Sequence, residues 1–117
     1  GVRLITHDGG MWVLRQCADY ANCDYFSPIT IGNNVFIGNN TIILPGVSIG
    51  NNCIIGAGSI VSKDIPDNSV FAGVPASFIK SIDDYALKVN KSGLVRSKGM
   101  SKKQKEKEIR KKHPEWF

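Results

Sequence analysis

From Ile31 the sequence divides into blocks of six residues: IGNNVF, IGNNTI, ILPGVS, IGNNCI, IGAGSI, VSKDIP. The first position reads Ile31, Ile37, Ile43, Ile49, Ile55, Val61 without exception. The fifth reads Val35, Thr41, Val47, Cys53, Ser59, Ile65, all small or β-branched. Between them lie Gly, Asn, Pro, Ala, Ser, Lys and Asp, largely the vocabulary of turns. A half-buried strand alternates every second residue and a helix repeats every 3.6. An aliphatic at every sixth position, with turn chemistry between, fits neither. The arrangement that buries it is a three-sided prism in which each block supplies one short strand and one corner. Three blocks of six then close one coil, and residues eighteen apart stack. Ile31 is predicted on Ile49, Ile37 on Ile55 and Ile43 on Val61; Val35 on Cys53, Thr41 on Ser59 and Val47 on Ile65. Cys53 is thereby a core residue, not a nucleophile. Asn and Gly at the corners suit positive φ, which strains a β-branched residue.

The phase is expected to stop after Pro66. DIPDNS (64–69) reads as a turn-rich break, and VFAGVPA follows out of phase. Upstream, Leu4 and Ile5 read as strand residues of an earlier coil. Residues 8–27 interrupt the phase as an extended loop before Ile29 resumes at a fifth position. The expected organisation is therefore 1–79 as prism and 80–117 as a basic helical tail.

Charge separates the same two parts. The 117 residues carry a net +5. Residues 1–79 hold three basic against five acidic side chains, and 80–117 hold twelve against five. Binding to nucleic acid or a membrane surface would have to rest on the tail, and no nucleic-acid partner is expected. Within the tail, Ser101 and Gln104 fit a capping box. Lys102/Glu106, Glu106/Arg110 and Glu108/Lys112 are opposite charges four apart. Pro114 should end the helix, leaving Trp116 and Phe117 to dock on the body. A solvated helix is the preferred reading of this stretch, and an anionic membrane surface or charged glycan is the functional alternative. No run approaches the ~18 apolar residues of a membrane span, and no leader is visible, so the chain reads as cytoplasmic. Cys17, Cys23 and Cys53 lack paired spacing, so neither a disulfide framework nor a CxxC metal site is expected.

The repeat resembles that of the hexapeptide-repeat acyltransferases, whose coils wind left-handed against the usual crossover preference. GAGSIVSKDIPDNSVFAGVPASFIK is similar to the end of the prism in the sugar O-acetyltransferases, of the maltose and galactoside acetyltransferase kind. LITHDGGMWVLR resembles the polysaccharide-type members. The resemblance implies an all-β fold, a left-handed parallel β-helix, here with an extended loop and a C-terminal helical tail. Relatives usually carry further coils before the point matching Gly1, and an open prism end exposes unpaired backbone. The chain is accordingly expected to be N-terminally incomplete.

Acetyl transfer from a thioester to a hydroxyl needs a base, donors for the oxyanion and a groove that aligns the donor. The two histidines are His7 and His113. His113, beside Pro114, reads as ordinary surface. At His7 the resemblance implies the catalytic base, and an imidazole titrating near neutrality suits that role. Asp8 adjoins it, but neighbours on a strand face opposite ways, so the pair is not read as a dyad. Asn39 and Ala57 are eighteen apart and share one corner. The resemblance implies that they line a groove for the pantetheine arm of acetyl-CoA, with the Ala57 N–H at the thioester end. It further implies Ser62 and Lys63 near the nucleotide and Lys80 at the phosphates. Phe36 could pack on pantetheine or simply stand exposed. Ser77 departs from the Arg or Lys that relatives carry there. Asp8, Trp12 and Tyr20 in the loop are candidates for the acceptor side. The resemblance also implies a homotrimer with sites between subunits.

The function expected is acetyl-CoA-dependent O-acetylation of a saccharide hydroxyl in capsule, lipopolysaccharide or a small sugar. A serine or amino-sugar-nucleotide N-acetyltransferase is the enzymatic alternative, and a non-enzymatic scaffold the alternative from another class. A zinc hydratase on the same prism would need several histidine ligands, and no metal is expected.

Overall fold

The computed structural model describes residues 1–117, and its six-residue blocks wind three faces of parallel strands. The first face holds β1 (Arg3–Leu4), β4 (Ile42–Ile43) and β7 (Ile60–Val61). The second holds β2 (Thr30–Ile31) and β5 (Ser48–Ile49). The third holds β3 (Val35–Ile37), β6 (Cys53–Ile55) and β8 (Ser69–Gly73), and is closed by β9 (Ala76–Ser81), which runs antiparallel to β8. Each strand is short because every sixth residue must turn a corner.

The register is the predicted one through two coils. Ile31 pairs with Ile49, Val35 with Cys53, Ile37 with Ile55 and Ile43 with Val61. Ile43, Val47, Ile49, Cys53, Ile55, Val61 and Ile65 form one buried cluster. Ile49 is 2% exposed, against 38% for Ile31 one coil earlier. Two buried hydroxyls are satisfied inside the core. Thr41 Oγ1 donates to Gly56 O at 3.2 Å, and Ser59 Oγ donates to the same oxygen at 2.6 Å while accepting from Gly73 N at 3.1 Å. Left-handed residues turn six of the corners: Asn34, Asn52 and Asn68 on one edge, Asn40 and Gly58 on the next, Gly46 on the third. The asparagines also bond to one another, Asn34 Nδ2 donating to Asn52 Oδ1 at 2.9 Å and Asn52 Nδ2 to Asn68 Oδ1 at 3.1 Å. This explains Asn over Gly there: its amide supplies a second bond along the edge.

The last coil departs from expectation. Ile65 bridges to Ile49, so the predicted stack of Val47 on Ile65 does not form. From this point partners are sixteen apart, with Ile54 beside Val70 and Ile55 beside Phe71. The corner after β7 is shorter by two residues, and the Asp64 carboxylate accepts from Ser48 N at 2.8 Å across it. VFAG, out of phase with the repeat as expected, is the next strand of the third face.

Residues 8–27 are an insertion at the corner between the first and second faces. Its base is closed by the antiparallel bridge of His7 with Phe26, by Asp8 N donating to Tyr25 O at 3.1 Å and by Ser27 N donating to Thr6 O at 2.9 Å. Inside lie the one-turn helix α1 (Met11–Leu14) and a 3-10 turn at Ala18–Tyr20. Arg15 ties the two limbs together, donating to Cys23 O at 2.9 Å and pairing with Asp24. The segment is thus a folded hairpin of turns rather than an extended loop.

The chain divides into two compact units, Gly1–Tyr85 and Ala86–Phe117. The division falls six residues beyond the one after Ile79 that composition suggests, because Lys80 and Ser81 complete β9. Helix α2 (Ile82–Ser92), which the charge pattern did not reveal, crosses the division, and α3 (Lys102–Lys112) follows. Ser101 and Gln104 form the full capping box, and Glu106 pairs with Arg110 at 3.1 Å. Lys112 bonds to Leu94 O and not to Glu108. Trp116 stacks on His113 with ring centroids 3.9 Å apart, and the Arg110 guanidinium lies 4.1 Å over the Phe117 ring. The aromatic end thus folds onto its own helix, and His113 is a half-buried packing residue instead of ordinary surface. His113 also meets Glu115 at 3.1 Å. The Glu115 carboxyl lies below its ordinary range, first through a backbone hydrogen bond and then through His113. No helix is long and apolar enough to cross a membrane.

Candidate active site

The predicted site residues occupy three separate places on the prism. Asn39 and Ala57 sit in successive coils at the corner between the third and first faces. There Gly58 N donates to Asn39 O at 2.8 Å, which fixes the two corners in contact. Gly56 N is likewise taken by Phe71 O at 2.9 Å, while the Ala57 N–H between them has no such partner. Gly58 has φ +70° and nothing within 4 Å of where a Cβ would stand, so the outside of this corner is open. Gly38, one coil away, lies so close that an added Cβ would be 2.4 Å from Ala57 N. A narrow ledge with a free backbone donor therefore lies against Gly38, which cannot carry a side chain.

His7 lies at the other end of the first face, at the corner that bears the inserted hairpin. Its ring is exposed and its backbone is held by the bridge to Phe26. Asp8 Oδ1 accepts from Gly10 N at 2.7 Å, so the carboxylate shapes the turn into α1. No hydrogen bond joins it to His7. Trp12 is 70% exposed and Tyr20 45%, leaving both rings available on the hairpin. Ser62 and Lys63 occupy this same edge two coils on, about 10 Å along the axis at ~4.8 Å per coil. Both are exposed.

Phe36 and Lys80 belong to the third face. Phe36 pairs with Ile54 and is 62% exposed, which makes it an outward-facing strand residue flanking the Asn39 corner. Lys80 is half-buried opposite Val70, and Ser77 is exposed opposite Ala72. Lys63 and Lys80 have no carboxylate partner. A polar depression of about 560 Å³ on the second face is lined by Ser48, Asp64 and Asp67. Its carboxylates are already engaged by Ser48 N and Asn51 N, so it is part of the corner construction. No group of three His, Cys, Asp or Glu side chains is placed to hold a metal ion.

The consequence is geometric. His7 and Ala57 are separated by the width of the first face, up to about 20 Å for six extended residues. A general base must stand within about 3 Å of the proton it removes. His7 and Ala57 stand at the two different corners that bound the first face.

Residues 28–63 match the family model described as bacterial transferase hexapeptide (six repeats). The chain is 57% identical over 89 residues to Protein CapG of Staphylococcus aureus, covering 76% of this chain and 51% of that protein. It is 63% identical over 60 residues to the galactoside O-acetyltransferase of Escherichia coli, covering 51% of this chain and 30% of that one. Among solved structures, a galactoside acetyltransferase in complex with coenzyme A superposes with a TM-score of 0.61 at 42% identity. That match covers 86% of this chain and 48% of that chain. The chain therefore spans about half the length, or less, of the proteins it matches. The chain is thus similar to hexapeptide-repeat transferases, a galactoside O-acetyltransferase among them, and that likeness implies the left-handed winding.

Proposed function

We propose, from the premise that this prism is a hexapeptide-repeat acyltransferase fold, that it transfers an acetyl group from acetyl-CoA to a saccharide hydroxyl. The observation that carries the reading is the ledge at Ala57. A free N–H stands beside an open left-handed glycine and in contact with Asn39, in a chain similar to an acetyltransferase that binds coenzyme A. The residues suit the donor. Gly58 leaves room for a thin pantetheine arm, Phe36 offers a flat exposed face beside it, and unpaired Lys63 and Lys80 suit phosphates as mobile point charges.

His7 takes the proton of the acceptor hydroxyl as its oxygen attacks the thioester carbonyl carbon. The Ala57 N–H donates to the oxygen that becomes negative. Collapse breaks the C–S bond, and the imidazolium returns its proton to the leaving sulfur, giving an acetyl ester and free coenzyme A. Because His7 and Ala57 lie on different corners, the working site takes His7 from one chain and the ledge from another. A closed three-fold ring supplies that pairing three times over. The exposed Trp12 and Tyr20 are placed to stack on sugar rings beside His7. The reading covers capsule, lipopolysaccharide or small-sugar acceptors.

The test is acetyl-CoA turnover against a panel of saccharides, with His7→Ala beside the parent. Loss of turnover with coenzyme A affinity retained supports the assignment. Unchanged turnover removes His7 from the chemistry, and absence of coenzyme A binding by the parent would favour a scaffold.

A further inference from the structure

We infer that Arg15 is a positioning residue for the acceptor: its clasp on Cys23 and Asp24 holds Trp12 and Tyr20 where a sugar ring can stack, and so sets affinity for the saccharide. The inference rests on the reading of His7, Trp12 and Tyr20 as the acceptor side of the site. Residues 8–26 have no buried side chain, and Met11 and Arg15 are the two among them that are half-buried. The hairpin therefore has no apolar core to fix its shape. Its conformation rests on hydrogen bonds.

Those bonds fall into two groups. At the base, Asp8 N donates to Tyr25 O and Ser27 N to Thr6 O, beside the bridge of His7 with Phe26. Above the base, the hydrogen bonds that join the two limbs are both made by Arg15. Its Nε donates to Cys23 O at 2.9 Å, and its Nη2 to the Asp24 carboxylate. The remaining backbone bonds are local. Trp12 N donates to Gly9 O at 3.1 Å and Arg15 N to Met11 O at 2.9 Å in the first limb, and Cys23 N donates to Tyr20 O at 3.0 Å in the second. An exposed ion pair by itself adds little to stability. A planar guanidinium that meets a carbonyl and a carboxylate on successive residues does something else, because it fixes direction as well as distance. Each aromatic lies three residues before a member of the clasp, Trp12 before Arg15 and Tyr20 before Cys23. Releasing the guanidinium therefore frees both rings while His7 stays on its bridge. The consequence is divided: weaker acceptor binding with an unchanged chemical step.

The test uses the full chain with a saccharide that the parent acetylates. Arg15→Gln and Asp24→Asn should each raise the acceptor KM about tenfold, leaving kcat and the KM for acetyl-CoA within about twofold. The double variant should be no worse than either single one, because both remove the same clasp. Arg15→Lys should restore the pair with Asp24 without the bond to Cys23 O, and fall between parent and Arg15→Gln. A second readout needs no substrate. In a Trp116→Phe background, which leaves Trp12 as the sole tryptophan, its fluorescence anisotropy should fall in Arg15→Gln. Coenzyme A affinity by calorimetry should stay at the parent value. An acceptor KM unmoved by both single variants, a matching loss in kcat, additive effects or unchanged anisotropy would each overturn the assignment and leave acetyl transfer standing. Loss of coenzyme A binding in the variants would overturn it too, since the clasp would then serve the prism. A parent that acetylates no saccharide would sink it together with the reading on which it rests.

Discussion

Replacing Gly38 by Ala should damage the prism out of proportion to one methyl group. A Cβ there would stand 2.4 Å from Ala57 N, 2.6 Å from Ala57 Cα and 2.9 Å from the Gly56 carbonyl carbon. All three are backbone atoms, so no side chain can swing aside, and the neighbouring coil must move by about an ångström. Such overpacking costs about 1–3 kcal/mol. The shift also weakens Gly38 N to Ile55 O and Gly58 N to Asn39 O, both 2.8 Å, at about 1 kcal/mol each. The expected total is about 3–5 kcal/mol. Gly58→Ala is the control, because its Cβ would meet nothing within 4 Å and its only cost is the left-handed backbone, about 1–2 kcal/mol. Urea midpoints measure both, and calorimetry with coenzyme A reports whether the corner survives. If Gly38→Ala proved no worse than Gly58→Ala, the claim that these corners are in backbone contact would be refuted.

Ser59→Ala strips the acceptor from Gly73 N in a site that is fully buried, and should lower stability by about 1–2 kcal/mol in urea unfolding. Thiol titration with a disulfide reagent should find Cys17 and Cys23 reactive in the native protein and Cys53, 1% exposed, reactive only after denaturation. The Glu115 carboxyl should titrate by NMR below an ordinary glutamate. Its folded pKa is depressed, so its contribution to stability is present above the unfolded pKa and disappears as pH falls through the folded one. His113→Ala should reverse only part of that shift, because the backbone hydrogen bond is the larger cause.

What the sequence revealed and what it concealed follow from the range of the forces involved. The strict Ile and Val positions state the coil length, because each must point into a core only one side chain deep. Stacking, the buried Cys53 and the Asn39–Ala57 corner follow from that count alone. The two-residue contraction after Val61 was invisible, because Ile65 fills the fifth position whether it meets Val47 or Ile49. The Asp64 carboxylate accepting from Ser48 N, with Ile65 N donating to Ser48 O, decides between them. The fold of residues 8–27 was hidden for a different reason. It rests on the pairing of Arg15 with Cys23 O and Asp24, a contact with no periodicity to betray it. Helix α2 starts at a legible cap, Ser81 Oγ accepting from Asp84 N at 3.0 Å, but the Ser-x-x-Asp at 81–84 follows a strand directly and the charge pattern alone does not single it out. For the site, the residue types were legible while their distribution over separate corners was not.

That distribution makes a prediction that a single-chain site cannot share. If His7 of one subunit serves the Ala57 ledge of the next, two variants that are each inactive should repair one another when they assemble together. His7→Ala keeps an intact ledge, and Ala57→Trp keeps an intact base while filling the open corner at Gly58. Co-refolded in equal amounts, the chains distribute at random around a closed ring. A site works only where an Ala57→Trp chain offers its histidine to a His7→Ala chain, which is about one boundary in four. Turnover should therefore return to about a quarter of the parent value, while each variant alone stays silent. A chain that housed base and ledge together would give nothing in the mixture. Silence from mixed oligomers, once mass spectrometry has verified that both chains are present, would return the site to one chain and contradict the corner assignment.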